Sequence, residues 1–253
     1  MSSLLSRVQR LNIGGRPPAL PAGTRIYAVG DIHGRLDLLN ELLSRISADI
    51  NIRPIGRALC VFLGDYIDRG PWSRETIDRL IEHGGSNEAV FLKGNHEQIA
   101  IRCLSEPSVF DQWMRLGGIE TLISYGVLPG ASANGRPIVE LQAAFHAALP
   151  QSHLRFLRNL QLSFNCGDFF FAHAGVKPDV ELSKQKETDL LWIREEFLSS
   201  HKDFGKIVVH GHTPARVIEI EPNRINIDTG AFATGRLTCL VIEKNSLSVI
   251  DTL

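Results

Sequence analysis

Five short apolar runs in this chain each lead into a motif of glycine with aspartate, asparagine or histidine. An apolar run closed in this way is typical of a buried strand, and α/β sheets place their ligands beyond the carboxyl ends of strands. The motifs are Gly30-Asp31-Ile32-His33-Gly34, Gly64-Asp65-Tyr66-Ile67-Asp68-Arg69-Gly70, Gly94-Asn95-His96-Glu97, His173-Ala174-Gly175 and Gly211-His212-Thr213. We therefore expect the polar side chains of all five motifs to meet at one edge of the fold.

Helical periodicity between these runs predicts an α/β fold with parallel strands. Apolar residues recur at helical spacing from Leu36 to Ile46 after the first motif. They do so again from Ser73 to Ile81 after the second, with Ser73 as the expected N-cap. This succession of strands and helices predicts a sheet with covering helices and right-handed connections.

The stretch from about residue 99 to 160 breaks this alternation, because it holds several apparent helices and no convincing strand. We expect a helical insert near the active site that shapes substrate access. The last third is again rich in predicted strands, so two sheets packed face to face with helices outside are the simplest architecture. These strands cover Asp168–Ala172, Ile207–Val209, a hairpin from Arg216 to Asp228, Leu237–Ile242 and Leu247–Ile250.

The domain organisation follows from composition and length. Residues 1–24 are polar and carry Gly14-Gly15 and Pro17-Pro18, which predicts an N-terminal arm that is extended or mobile. Residues 25–253 are expected to form one domain, since a chain of 253 residues lies near the upper size of a single core.

Charge and cysteine usage exclude several classes of partner. The formal net charge is −1, the isoelectric point is near 6.8 and no dense run of lysine or arginine is present, so we expect neither a nucleic-acid nor a membrane partner. The four cysteines are widely spaced without a CxxC pair, which is typical of buried thiols in a reducing compartment. With no apolar span of membrane length, the expected location is cytoplasmic. The sequence does not determine the oligomeric state, and a monomer is the first expectation.

The side chains of the five motifs are the ligand types of a two-metal hydrolytic centre. Alternation along an extended segment would point Asp31 and His33 to the same side, where both could bind one ion. Asp65 is the candidate that bridges both ions. A mixed nitrogen and oxygen shell suits Mn, Fe, Zn or Co, whereas an all-oxygen shell would favour Mg or Ca. The remaining candidate ligands, for the second ion, are Asn95, His173 and His212.

Four further residues are candidates for catalysis. His96 follows Asn95 directly and should point away from the ions, so it is free to carry a proton as a general acid. Asp68 could hydrogen-bond one of its ring nitrogens and hold it protonated. Arg69 and Arg194 could each present a planar guanidinium to phosphoryl oxygens.

The first three motifs resemble the signature blocks of the metal-dependent phosphoprotein phosphatase family, within the calcineurin-like metallophosphoesterases. Trp192-Ile193-Arg194, Gly211-His212-Thr213-Pro214 and Ile227-Asp228-Thr229-Gly230-Ala231 are similar to later blocks of its bacterial and phage branch. The resemblance covers roughly residues 25–253. It implies a four-layer αββα sandwich and a centre of two divalent ions, with Mn²⁺ as the first expectation, where a bridging water attacks phosphorus directly.

The resemblance also implies a role for each candidate residue. It makes His96 the proton donor, and it makes Arg69 and Arg194 the phosphate clamps. Pro214 stands where the broader superfamily has a second histidine, which implies that the first metal has one protein ligand fewer and exchanges easily. The implied metal ligands are Asp31, His33, Asp65, Asn95, His173 and His212.

Three functions are compatible with these motifs. The first is a serine/threonine protein phosphatase acting on phosphoprotein or phosphopeptide substrates. The second is a symmetrical dinucleoside tetraphosphate hydrolase, in which the third motif more usually ends in aspartate, so Glu97 and the Asp68-Arg69 pair favour the phosphatase. The third is a silent binding module, which should have lost a ligand or the proton donor, whereas this chain keeps them all.

Overall fold

The computed structural model describes Leu11, residues 15–130 and residues 137–253. No helix within these ranges is both long and apolar enough to span a membrane. The described strands are β1 (Thr24–Val29), β2 (Arg57–Phe62), β3 (Ala89–Phe91), β4 (Ser163–Cys166), β5 (Phe169–Ala172), β6 (Ile207–His210), β7 (Glu219–Glu221), β8 (Arg224–Asn226), β9 (Thr238–Glu243) and β10 (Ser246–Asp251). The described α-helices are α1 (Leu36–Ile52), α2 (Ser73–Ser86), α3 (Asn95–Cys103), α4 (Phe110–Trp113), α5 (Ile119–Ser124), α6 (Ile138–Ala148), α7 (Gln151–Arg158), α8 (Glu187–Trp192), α9 (Glu195–Leu198) and α10 (Ala231–Thr234).

The strands form two mixed sheets of five strands each among the described residues. The first has the order β10-β9-β1-β2-β3, with β1, β2 and β3 parallel and β9 antiparallel to β1. The second has the order β4-β5-β6-β8-β7, with β5, β6 and β8 parallel. The predicted α/β fold with two mixed sheets is therefore confirmed.

Alternation along the strands produces the layers of the fold. In β1, Ile26 and Ala28 belong to the apolar cluster between the sheets, while Tyr27 and Val29 belong to the cluster beneath the helices of the first sheet. In β5, Phe169 and Phe171 likewise enter the inter-sheet cluster, and Phe170 packs in a third cluster with residues of α8 and α9. Successive side chains of a strand point to opposite faces of its sheet, so alternate residues pack in separate cores.

Helices occupy the insert from residue 99 to 160 in its described part, and they pack in the same cluster as α1 and α2. A wide helical turn at Met114–Gly118 separates α4 from α5, and Gly117 there has φ of 107°. The strand predicted at Asp168–Ala172 is present as β5, and it forms a hairpin with β4, which pairs antiparallel with it across a turn at Gly167-Asp168. The sequence of β4 is short and mixed in polarity, so periodicity did not reveal it.

Within the predicted arm, Arg16 and residues 19–21 lie against the turn between β4 and β5. Arg16 forms an ion pair with Asp168, and the carbonyl of Ala19 accepts the N–H of Asp168 at 3.0 Å. Leu11 and Leu20 are buried in the inter-sheet cluster. The rest of the predicted arm, residues 1–10 and 12–14, lies outside the described residues.

Candidate active site

The five motifs meet where the parallel strands of both sheets end. Asp31, Asp65 and Asn95 follow β1, β2 and β3, while His173 and His212 follow β5 and β6. Seven described residues other than glycine have positive φ, and five of them belong to these motifs. They are His33, Asp65, Asp68, Arg69 and His212, with φ between 49° and 71°. Backbone strain is therefore concentrated at the site, as is common where side chains must be aimed.

The loop after β1 is bound to the loop after β2 through their backbones. The carbonyl of Asp65 accepts the N–H groups of Ile32 and His33, at 3.0 and 2.8 Å. Because His33 is left-handed rather than extended, strand alternation does not explain why Asp31 and His33 share a site, and that reasoning was wrong. His33 nevertheless lies beside Asp65, with 3.5 Å between Nε2 and Oδ2, and Asp31 is close enough to Asp65 for the charge of Asp65 to raise its pKa.

Asn95, His173 and His212 converge within hydrogen-bonding distance. The Oδ1 atom of Asn95 lies 2.9 Å from Nε2 of His173 and 2.8 Å from Nδ1 of His212. The Oδ1 atom of Asp65 lies 3.4 Å from Nε2 of His173. Ligand atoms of Asp65, His173 and His212 all lie within 4.8 Å of one another, and the same holds for His33, Asp65 and His96. Asp65 is thus common to two clusters that could each hold an ion.

The chemistry of these groups fits divalent cations. The Nδ1 atoms of His33 and His173 lie 2.9 Å from the carbonyls of Ile67 and Leu63, so Nδ1 carries the proton and Nε2 keeps its lone pair. The lone pair of His173 then faces the amide oxygen of Asn95 without a proton between them, an arrangement that suits a shared cation. Within the described residues, Oδ1 of the buried Asp31 has no hydrogen-bond partner, which also suits a cation.

Electrostatics supports the same assignment. Burial lowers the pKa of His33 to about 3 and that of His212 to about 2, so both imidazoles are neutral at pH 7, the form that can bind a metal ion. Burial, with Asp228 and Asp65 nearby, raises the pKa of Asp31 well above its ordinary value. Three buried carboxylates that repel one another are typical of a site that binds positive charge.

His96 and Asp68 form a buried pair beside the ligand clusters. The Nδ1 atom of His96 lies 2.7 Å from Oδ2 of Asp68, and its Nε2 lies 3.7 Å from Oδ2 of Asp65. Burial lowers the pKa of His96, but Asp65 and Asp68 outweigh it, so the pKa is raised overall. With one nitrogen bound to Asp68, the other is available either to a metal ion or to a substrate.

Arg69 spans the first cluster with its guanidinium. Its Nη1 and Nη2 atoms lie 3.1 Å from Nε2 of His33 and 3.1 Å from Nε2 of His96. Since arginine only donates, both imidazole nitrogens accept in this arrangement. The ring of Phe232 stacks against the same guanidinium, with 4.7 Å between its centroid and Cζ, and remains 37% exposed.

Arg194 lies on the side of the second cluster. It is exposed, and its charge contributes to lowering the pKa of both His173 and His212, which burial lowers most. It lies between two short helices, since α8 ends at Trp192 and α9 begins at Glu195. Arg194 therefore lies outside both helices, directly before the start of α9.

Two glycines let the backbone approach the carboxylates. A Cβ on Gly94 would lie 2.1 Å from Oδ1 of Asp65, and one on Gly211 would lie 2.1 Å from Oδ1 of Asp31. Glu97 closes the third motif, accepting the N–H groups of Asp65 and Gly94, each at 2.9 Å. Its carboxylate holds the start of α3 to the second motif, so its role is structural.

The sequence pattern of the calcineurin-like phosphoesterase family matches residues 24–239, which include all five motifs. The chain belongs to this family. Calcineurin-like phosphoesterases hydrolyse phosphoester bonds with divalent metal ions, and the clusters around Asp65 are where this chain offers the ligands.

Curated relatives of this calcineurin-like phosphoesterase carry a more specific name. The bis(5'-nucleosyl)-tetraphosphatase PrpE [asymmetrical] of Anoxybacillus flavithermus is 28% identical over 245 residues, covering 89% of this chain and 94% of the relative. That of Halalkalibacterium halodurans is 30% identical over 232 residues, covering 84% and 87%. A solved cold-active protein tyrosine phosphatase shares the fold, with a TM-score of 0.62 and 17% identity over 96% of this chain and 80% of that one.

Several residues of this site in the calcineurin-like phosphoesterase were not assigned from sequence. Asp228 follows β8 in a motif recognised by resemblance alone, and burial raises its pKa to about 6. Phe232, in the short helix α10, carried no signal, because one aromatic residue near a turn is usually part of a core. Ser73 was expected to cap α2, but Trp72 precedes that helix and Ser73 Oγ instead accepts the N–H of Asp68 at 3.0 Å.

Proposed function

We propose that this calcineurin-like phosphoesterase hydrolyses dinucleoside polyphosphates, with cleavage in the asymmetrical sense. The observation that carries the hydrolytic part is the position of Asp65 between two ligand clusters, with the His96–Asp68 pair and Arg69 on one side. Bound there, two divalent ions would polarise the phosphoryl oxygens and make the attacking water more acidic. Mn²⁺ is the first candidate because the family resemblance implies it, and the mixed donor set of imidazole, carboxylate and amide also suits Fe, Zn or Co.

The protein's own groups account for binding and proton transfer. Arg69 presents two N–H groups in a fork, which matches two phosphoryl oxygens. When that fork turns to a substrate it releases Nε2 of His96, which can then take up a proton and pass it to the leaving oxygen. Asp68 favours the protonated imidazole and fixes its orientation through Nδ1. Arg194 supplies a second positive charge on the side of His173 and His212.

The substrate class rests on two observations. The curated relatives at 28% and 30% identity are named as asymmetrical bis(5'-nucleosyl)-tetraphosphatases. Phe232 adds an exposed ring beside Arg69, where a nucleobase attached to the bound phosphate chain could stack. Among the described residues, the hydrogen bonds to the Glu97 carboxylate all come from backbone N–H groups. Glu97, which had favoured the phosphatase interpretation, therefore gives no reason to prefer it.

Phosphoserine and phosphothreonine of proteins are the second candidate class. The Asp68-Arg69 pair of the second motif supports it, because Asp68 orients the acid His96 and Arg69 can bind the phosphoryl group, the two tasks that monoester hydrolysis requires. In this reading the phosphopeptide places its phosphoryl group on the same centre, and Phe232 contacts the peptide.

Product analysis separates these candidates. The purified, Mn²⁺-loaded protein is incubated with diadenosine tetraphosphate, and the nucleotides are resolved by anion-exchange chromatography. ATP with AMP is the expected result, whereas ADP alone would indicate the symmetrical cleavage considered from the sequence. Phosphate release from phosphoserine peptides without nucleotide cleavage would favour the phosphatase, and no turnover of either substrate would refute the proposal.

A further inference from the structure

The helical insert contacts the active-site loop through hydrogen bonds to Asp68. Trp113 donates its indole N–H to the carboxylate, with Nε1 at 2.9 Å from Oδ2 and 3.1 Å from Oδ1. Thr121 donates its hydroxyl to Oδ1 at 2.6 Å. Together with His96, these donors occupy both oxygens of Asp68, and all four side chains are buried.

The same part of the insert also holds the backbone of Asp68. The N–H of Asp68 lies 2.9 Å from Oγ1 of Thr121 and 3.0 Å from Oγ of Ser73, and the two hydroxyls lie 2.9 Å apart. Asp68 has a φ of 71°, which costs energy for any residue with a Cβ. These bonds offset that cost and determine where the carboxylate points.

Arg69 is held by the wide turn between α4 and α5. Its N–H donates to the carbonyl of Gly117 at 3.0 Å, and its Nε lies 3.4 Å from the carbonyl of Leu116. A Cβ on Gly117 would lie 2.7 Å from Cγ of Arg69, so only glycine allows this approach. The irregular turn therefore supplies carbonyl groups that a regular helix would use internally.

We propose that the helical insert positions the catalytic groups, with Trp113 and Thr121 as positioning residues that act on His96 through Asp68. This inference rests on the proposed hydrolytic function of the site. It assigns the insert a role different from the control of substrate access expected from the sequence. Neither residue lies in a motif, and 45 and 53 positions separate them from Asp68.

Matched aryl esters test this proposal, because phenyl phosphate and 4-nitrophenyl phosphate have similar shapes and leaving groups of very different basicity. Thr121→Val should lower kcat on phenyl phosphate by about tenfold, and on the nitrophenyl ester by at most about twofold. Thr121→Ser keeps the hydroxyl and should restore kcat. The matched control is Thr76→Val, since Thr76 is equally buried and its hydroxyl has no partner among the described residues.

Trp113→Phe gives a second test that keeps the packed ring and removes only the donor. It should show the same dependence on leaving group, with the inhibition constant for phosphate unchanged. Equal losses on both esters, or no loss in either variant, would overturn the positioning role. The two substitutions should together lower kcat less than the loss of His96 itself.

Nuclear magnetic resonance tests the contact independently of turnover. In uniformly ¹⁵N-labelled protein the indole proton of Trp113, assigned with Trp113→Phe, should move upfield in Asp68→Asn, and that of Trp72 should not. An unmoved Trp113 signal would refute the inference even if neither ester is hydrolysed. A moved signal in a protein without turnover would leave the positioning contact standing and refute only the proposed function.

Discussion

The imidazole of His96 is oriented by Asp68, whose Oδ2 lies 2.7 Å from Nδ1, while its other nitrogen faces Asp65 and Arg69. This relationship separates the two uses that the geometry allows for His96. A general acid needs Nε2 to carry a proton toward a substrate, whereas a metal ligand needs the lone pair of that atom. The two roles predict different consequences when the imidazole is removed.

His96→Asn should therefore reduce turnover according to the basicity of the leaving group. On phenyl phosphate we expect a loss of kcat of roughly 10²–10⁴-fold, the usual contribution of a positioned acid. On 4-nitrophenyl phosphate the loss should be clearly smaller, because the nitrophenolate leaves without a proton. The metal content should stay unchanged, and a variant that loses metal would show that His96 is a ligand.

The dependence of turnover on pH follows from the raised pKa of His96. Burial opposes the charge, but Asp65 and Asp68 favour it, so the protonated acid persists above the ordinary pKa of histidine. Activity on phenyl phosphate should fall as pH rises through this raised pKa. Asp68→Asn removes one of the favourable charges, so the decline should begin at lower pH. If the alkaline decline of turnover occurs at the same pH in Asp68→Asn, the pairing of His96 with Asp68 is contradicted.

Replacing Arg69 by alanine should weaken inhibition by inorganic phosphate. Charge-assisted hydrogen bonds contribute about 1.5–3 kcal/mol, so the inhibition constant should rise by about 10- to 100-fold. Arg69→Lys should not restore it, because an ammonium cannot present the planar fork. Arg194→Ala should also raise the inhibition constant for phosphate, but by a smaller factor, since that side chain is exposed. Arg155→Ala on α7 is the control and should leave the inhibition constant for phosphate unchanged.

Phe232→Ala should distinguish a base-stacking surface from a support for Arg69. Stacking of a base on an aromatic ring contributes about 1–3 kcal/mol, so KM for diadenosine tetraphosphate should rise at least about fivefold. Phe232→Trp keeps an aromatic ring, so its KM for diadenosine tetraphosphate should stay near that of the unaltered protein. If the ring only supports Arg69, the inhibition constant for phosphate will rise by the same factor as KM.

The sequence was sufficient to predict the two sheets and the meeting of the five motifs. Apolar runs ended by glycine can be recognised locally, and the convergence of parallel strand ends follows from sheet geometry. The bonds from Trp113 and Thr121 to Asp68 could not be predicted, because no periodicity relates residues so far apart. The strand β4 was missed for another reason, since its sequence is short and mixed in polarity and gives no clear alternation.

Elemental analysis of Asp65→Asn tests the central claim most directly, because Asp65 belongs to both ligand clusters. We expect two divalent ions per chain in the Mn²⁺-loaded protein and a loss of both ions, with turnover, in the variant. His173→Ala is the matched comparison and should lose only the second ion, since its imidazole lies in one cluster. An Asp65→Asn protein that retains both ions and near-normal turnover would contradict the account.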